Sequence, residues 1–349
     1  MSRPIRYLRC LVLLTVGWLI VGGCTAGPDA AVPVRLSGAT MGTTWSVSLG
    51  KLPSGLQAEQ LQQRLQQRLD RINRLMSTYD PDSELSRFNN QRGTGWFSVS
   101  PETAAVVELA QQISVLSNGA FDVTIGPLVD LWGFGPIPRG RQRPSDRQVE
   151  LARQQTSYRK LQVRREPAAL RKRIPELRVD LSAIAKGYAV DQLAELLMTA
   201  GVNDLLVEIG GEMRMRGRRP DGTPWRIAIE QPLPGERSVA QVLSLSATGL
   251  ATSGNYRNFF IEEGQSYAHT IDPNSGRPVR HQLASATVLD PSAARADALA
   301  TALMVMGEQR AQAFCRRERL AALLLIHQGA RIAPIMTDRF HALSVAELP

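Results

Sequence analysis

The chain has few cysteines, few aromatic residues and none of the common nucleotide, protease or esterase signatures. Three cysteines in 349 residues, Cys10, Cys24 and Cys315, cannot build a disulfide framework. Phe, Trp and Tyr together make up 5% of the residues, so the core must come mainly from aliphatic side chains. There is no GxGxxG, GxxxxGK[ST], HExxH, GxSxG or CxxC pattern, which removes the usual sequence support for Rossmann, P-loop, zincin, α/β-hydrolase and thiol-redox chemistry. No internal repeat or coiled-coil heptad is present. Aliphatic and glycine content is ordinary, which excludes collagen-like, disordered and multi-span membrane classes.

One long apolar run stands at the start. Arg3, Arg6 and Arg9 precede Cys10 to Val21, and the run ends in Val21-Gly22-Gly23-Cys24. It is short for a membrane span, and its small residues stop at a cysteine, which resembles a bacterial lipoprotein leader more than an A-x-A cleavage site. The expected organisation is a signal peptide over 1–23, a linker over 24–33 beginning at a lipidated Cys24, and one domain over 34–349. An uncleaved N-terminal anchor is the alternative. Either arrangement tethers the body outside the cytoplasm, in the bacterial cell envelope on the periplasmic side.

The formal charge of +9 falls to +6 once the leader's three arginines are removed, since the leader carries no acid. A moderately basic body suits an anionic membrane surface or a phosphate-bearing small molecule. The envelope address and the scattered arginines argue against nucleic acid. With Cys10 removed and Cys24 lipidated, only Cys315 remains, so no intramolecular disulfide is expected.

Period-two alternation at Trp45, Val47 and Leu49 predicts a strand. Leu56, Leu61, Leu65, Leu69, Ile72 and Leu75 predict a long amphipathic helix, ending before a loop that carries Tyr79. Ser100, Pro101 and Gly119 bracket a second helix. The Gly/Pro-broken segment from Phe121 to Gly135 reads as loop, and 136–147 as an exposed connection. Further strands are expected at Leu177 to Leu181, Leu205 to Ile209, Trp225 to Glu230, Val242 to Ser246 and Leu320 to Ile326. Helices are expected at Ala183 to Ala200, Ala293 to Met306 and Glu308 to Arg317. This order does not alternate as βαβ, so the expected class is α+β with a mixed or antiparallel sheet, flanking helices and a cleft between lobes.

Three stretches can carry chemistry. In Val179-Asp180-Leu181-Ser182-Ala183-Ile184-Ala185-Lys186-Gly187 a strand runs into a helix with an acid, a hydroxyl and a lysine together, a junction attractive to phosphate. Asp180 and Ser182 acting only as helix caps would explain the same residues. Asp297 and Thr301 stand at i and i+4, so a carboxylate and a hydroxyl share one helix face. Such oxygens suit Mg²⁺, and purely local helix bonding is the competing explanation. His269 precedes an Asp/Pro/Asn/Gly turn from which it can reach a cleft, whereas His281, His327 and His341 lack comparable neighbours.

Taken in order, GATMGTTWSV, LMSTYDPDSELSRFN, GAFDVTIGPLVDLWGFG, VDLSAIAKGYAVD, EIGGEMRMRG, ATSGNY, YAHTIDPNSGRP and RADALATALMVMG resemble the ApbE family of FAD:protein FMN transferases over nearly all of the mature chain. The resemblance implies the ApbE α+β fold with FAD and Mg²⁺ in an interlobe cleft. It implies transfer of FMN from FAD, as substrate, to a threonine of a client protein with release of AMP. Periplasmic parts of ion-translocating oxidoreductases are the implied clients. It places Met41 and Tyr79 near the flavin, Ala120, Phe121 and Asp122 along the FAD site, and Asp180, Lys186 and Ile271 in contact with it. The implied metal set is the Ala183 carbonyl with Asp297 and Thr301, and His269 is the expected proton acceptor. Hydrolysis of FAD to FMN and AMP, or flavin binding without catalysis, are the alternatives.

Overall fold

Trp45, Val47 and Leu49 lie on the buried side of the strand Thr43–Leu49. It pairs with Val34–Thr40 on one side and Leu205–Ile209 on the other. The computed structural model describes residues 34–345 apart from 138, 139, 141, 234, 236, 237, 257 and 330; the leader, Cys24 and the linker lie outside the described residues. Eight strands form one sheet in the order Val34–Thr40, Thr43–Leu49, Leu205–Ile209, Glu212–Arg216, Ala247–Gly254, Leu283–Asp290, Ala321–Gln328, Arg331–Met336. Every neighbouring pair in it is antiparallel. No helix among the described residues is long and apolar enough to cross a membrane.

Among the described residues eight α-helices accompany the sheet: α1 (Ala58–Met76), α2 (Glu84–Asn90), α3 (Pro101–Leu116), α4 (Gly126–Leu131), α5 (Asp146–Gln154), α6 (Ala185–Thr199), α7 (Ala293–Glu318) and α8 (Asp338–Val345). The sheet is covered on both faces, which explains the unbroken apolar run in Ala321–Gln328. Ala322, Leu324 and Ile326 face the main core with α1, α3, α6 and α7. Ala321, Leu323 and Leu325 face a second core built from the hairpin Trp225–Glu230/Val239–Leu245 and Phe340 of α8. Alternation along a strand here assigns residues to two cores rather than to core and solvent.

α6 and α7 cross where Gly187 meets Ala293 and Ala294. A Cβ on Gly187 would sit 2.3 Å from the Ala293 carbonyl oxygen, so glycine is required for the two backbones to approach. The Asp191 carboxylate of α6 accepts from the Ala293 and Ala294 amides and the Ser292 hydroxyl, fixing the start of α7. Gly187→Ala is therefore expected to lose about 1–3 kcal/mol of stability and to weaken the site that α7 carries. Denaturant midpoints check this; a wild-type midpoint would contradict the crossing's role.

Gly307 interrupts α7 with φ 73° and ψ 174°, a conformation essentially closed to other residues. This yields the two expected helices, Ala293 to Met306 and the segment after it. The loose carbonyls at the break are satisfied: His281 Nε2 donates to Met304 (2.7 Å), and Arg310 donates to Met306 (3.0 Å) and Val305 (3.2 Å).

Two expectations are corrected. Phe121 to Gly135 is not simply loop, because it contains α4. Pro127 sits in the first helical turn, where its missing N–H costs nothing, and Gly126 lets the helix approach closely, since a Cβ there would lie only 3.0 Å from the Arg178 carbonyl oxygen. Leu128 and Trp132 are buried in a third core with Val149, Phe260, Tyr267 and Ile271, and the Trp132 indole donates to the Gly276 carbonyl at 2.8 Å. Leu177 to Leu181, in turn, is extended but not a ladder strand. Apart from one bridge between Arg178 and Ile125, its partners are irregular: the Asn89 side chain donates to the Val179 carbonyl (2.8 Å) and accepts from the Val179 amide (2.7 Å). The Asp180 amide donates to the Val123 carbonyl at 2.7 Å.

Candidate functional site

The segments singled out in sequence converge on one cavity of about 580 Å³. Two tight turns help to shape it. Gly210 (φ 60°) and Gly211 (φ 106°) join Leu205–Ile209 to Glu212–Arg216, and positive φ at both positions is the hairpin geometry that favours glycine. The turn delivers Glu212 into the cavity wall. Met41 (φ 48°) and Gly42 make the corresponding turn between the first two strands. Met41 packs against the main core and is not among the residues lining the cavity, whereas the neighbouring Thr43 approaches Gly210.

At the junction before α6 the Asp180 carboxylate accepts from both the amide (2.8 Å) and the hydroxyl (2.6 Å) of Ser182. These residues close a local turn rather than cap the helix; the N-cap is Ile184, with no side-chain cap. The Gly187 amide, which in an uninterrupted helix would donate to the Ala183 carbonyl, donates instead to Asp297 Oδ2 at 3.1 Å. Among the described residues no donor takes the Ala183 carbonyl, the second Asp297 oxygen or the Thr301 hydroxyl oxygen, and all three residues line the cavity. One buried carboxylate, one carbonyl and one hydroxyl form a set of hard oxygens suited to a small divalent cation that keeps part of its coordination for water and phosphate. The expected ligand residues therefore fit such an ion chemically.

Lys186 extends into the same region and pairs with Glu212 Oε1 at 2.6 Å. Burial alone would lower the Lys186 ammonium, but the carboxylates of Glu212 and Asp297 outweigh it and hold the group above its ordinary value. Burial, with Asp297's charge adding to it, pushes the Glu212 carboxyl up to about 8 despite Lys186. Burial likewise raises Asp297, against the opposing pull of Lys186 and the Gly187 amide. Two buried carboxylates facing one ammonium leave the cluster short of positive charge, which a bound cation would supply. Among the described residues Glu212 Oε2 has no hydrogen-bond partner. Sequence reading gave Glu212 no role; its place directly after the Gly210-Gly211 turn, two strands from Trp45, was the available signal.

His269 lies at the cavity wall after the hairpin Phe259–Glu262/Gln265–Ala268. Its Nδ1 is 3.1 Å from the Asn258 carbonyl oxygen. A carbonyl can only accept, so Nδ1 carries the proton and Nε2 presents a lone pair. Burial lowers the imidazole below its ordinary 6.5, with Lys186 adding to the effect and the Asn258 carbonyl opposing it. The result is a neutral base at physiological pH.

Ala120, Phe121 and Ile271 supply apolar wall, and Tyr79 contributes an exposed ring at the edge, 68% accessible. Asp122 also lines the cavity, yet its carboxylate is already engaged. One oxygen accepts from the amide and hydroxyl of Thr124, at 2.8 and 2.6 Å, and the other from the Tyr158 amide at 2.7 Å. Asp122 therefore shapes the wall by pinning two loops together.

The model of the ApbE family matches residues 41–324. An FAD:protein FMN transferase from Vibrio cholerae is 44% identical over 319 residues, covering 91% of this chain and 94% of its own length. One from Salmonella typhimurium is 40% identical over 344 residues, covering 96% and 97%. Among solved structures, the flavin transferase ApbE from Vibrio cholerae superimposes with a TM-score of 0.83 at 42% identity, over 90% of this chain and 99% of that one. The apo flavinyl transferase ApbE from Pseudomonas stutzeri gives 0.83 at 38% identity, over 91% and 98%.

Proposed function

The chain belongs to the ApbE family, and from that premise we propose that it joins the FMN half of FAD to a threonine hydroxyl of an acceptor protein and releases AMP. It is an FAD:protein FMN transferase. The observation that carries the site-level reading is the convergence of Ala183, Lys186, His269, Asp297 and Thr301 on one cavity.

In this reading the acceptor hydroxyl oxygen attacks the flavin-side phosphorus of FAD. The bond from that phosphorus to the bridging oxygen breaks, and AMP leaves with the bridging oxygen. His269 Nε2 takes the hydroxyl proton, while the Nδ1–H bond to Asn258 holds the ring in the tautomer that can do so. Lys186, held by Glu212, faces the negatively charged diphosphate. Tyr79 covers the isoalloxazine, and Phe121 and Ile271 exclude water beside it. Mg²⁺ held by Asp297, the Thr301 hydroxyl and the Ala183 carbonyl would neutralise charge on the diphosphate.

The mature protein is read as lipidated on Cys24 and facing the periplasm, with redox subunits of ion-translocating oxidoreductases as acceptors. The leader pattern from Arg3 to Cys24 and the family membership support this. Incubating the protein with FAD and Mg²⁺, with and without such an acceptor, tests the reaction. Acceptor-dependent AMP release matched by covalent flavin on the acceptor is expected. Equal AMP release without acceptor and no labelled protein would make it a pyrophosphatase; tight FAD binding with neither product would make it a flavin carrier.

A further inference from the structure

A second cavity of about 500 Å³ lies beside the flavin site and is unusually rich in arginine: Arg143, Arg277, Arg280 and Arg310 all line it. The two cavities share a wall. Ile271 lines the first and the next residue, Asp272, lines the second, while Val305 of α7 borders both. Among the described residues Asp272 is the one acidic side chain in the lining, and one of its carboxylate oxygens accepts from the Asn274 amide (3.0 Å) and the Asn274 side chain (3.3 Å). Arg277 pairs with Asp146 at the edge (2.8 Å). Arg310 is engaged by helix carbonyls, which leave its charge uncompensated. Arg280 lies over the Tyr267 ring, 5.2 Å from its centroid, and has no carboxylate partner among the described residues.

We infer that this arginine cavity docks acidic side chains of the acceptor protein next to its reactive threonine. The inference rests on the transferase reading and deepens it by naming the chemistry of the partner surface. An enzyme that transfers to a protein needs a surface beside the reacting phosphorus for that protein to cover. Here the adjoining surface sets four guanidinium groups against Asp272 and the Asp146 carboxylate, which faces both Arg277 and Arg143, and this leaves an excess of positive charge; guanidinium groups pair with carboxylates in bidentate geometry. Tyr267 holds Arg280 by its face and leaves the guanidinium edges for an incoming carboxylate. The FAD phosphates already have Lys186 and the hard-oxygen set on the other side of the shared wall.

The test compares two synthetic threonine peptides as acceptors, one with Asp at the flanking positions and one with Asn, using wild-type protein and the double variant Arg143→Gln/Arg280→Gln. Arg277 and Arg310 are left intact because they hold Asp146 and the α7 break. Wild-type protein is expected to label the Asp peptide with a KM about 10-fold or more below that of the Asn peptide, a preference that shrinks as salt is raised. In the double variant the preference should collapse, with KM for FAD and kcat for the Asn peptide unchanged. Equal labelling of both peptides by wild-type protein, or an Asp preference that survives in the variant, overturns the inference. So does failure to label either peptide while FAD is still split, and so does a changed KM for FAD, which would assign the cavity to the nucleotide. If wild-type protein neither splits FAD nor labels any acceptor, the transferase reading itself fails, and that outcome is distinct from the others.

Discussion

Asp297→Asn is expected to lower Mg²⁺-dependent FMN transfer by about 10²–10³-fold, while the protein stays folded. A single well-placed electrostatic group is typically worth about 10²–10³-fold in rate, and Asp297 is the only charged member of the Ala183, Asp297, Thr301 oxygen set. The substitution separates charge from architecture. Asparagine keeps an oxygen to accept from the Gly187 amide, now at 3.1 Å from Asp297 Oδ2, so the α6–α7 crossing persists. A buried carboxylate without a cation is costly, and Asp297 is raised by burial, so the variant's melting temperature without metal should equal or exceed that of wild type. Mg²⁺ should then stabilise wild type, by about 2.7 kcal/mol at a hundredfold excess over Kd, and leave the variant unmoved. Thermal melts across a Mg²⁺ series with FAD, alongside transfer rates, measure both. Full activity with an unchanged Mg²⁺ response would remove Asp297 from the metal set.

His269→Ala carries the second large effect. Transfer should fall by about 10²–10⁴-fold, the usual worth of a positioned base, with FAD affinity nearly intact, since His269 contributes one wall position among many. The pH profile provides a separate readout. Transfer requires neutral imidazole, and burial depresses its protonation below the ordinary 6.5. The part of the wild-type profile that His269 sets should therefore fall only below pH 6.5, as His269 becomes charged, apart from any change near pH 8 where Glu212 takes up its proton. The variant should lack that acid limb. A limb that persists unchanged in His269→Ala, or a normal transfer rate, would assign the proton to another group.

Elements with strong local signals were legible in sequence, and elements defined by tertiary partners were not. The apolar stripe of α1, the Ser100-Pro101 start of α3 and the two-part helix around Gly307 carry their own periodicity and punctuation. α4 was hidden because glycine and proline commonly break helices, whereas here they occupy a first turn and a close contact with Arg178. Leu177 to Leu181 has strand composition, but Asn89 and Val123, distant in sequence, take its hydrogen bonds. The strands Leu161–Arg165 and Ala168–Lys172 were not predicted because each is five residues long and has at most two periods of alternation to distinguish it from loop.

The site divides along the same line. Asp297 and Thr301 share a face by helical spacing alone, and His269 was marked by its turn. That the Gly187 amide bypasses Ala183 to reach Asp297, leaving the carbonyl open, depends on a crossing no spacing encodes. The same holds for Glu212 beside Lys186, and for Asp122, whose carboxylate pins Thr124 and Tyr158. Met41 was placed near the flavin by family resemblance alone; in the fold it is partly buried against the main core.

The position of the cation decides the chemistry of this site. Crystals grown with FAD and Mn²⁺ in place of Mg²⁺ would reveal it by anomalous diffraction. A single strong peak within bonding distance of the Ala183 carbonyl, Asp297 and the Thr301 hydroxyl, and touching the FAD diphosphate, is the predicted result. A peak bound by other residues, or FAD seated with its diphosphate away from α7, would contradict it.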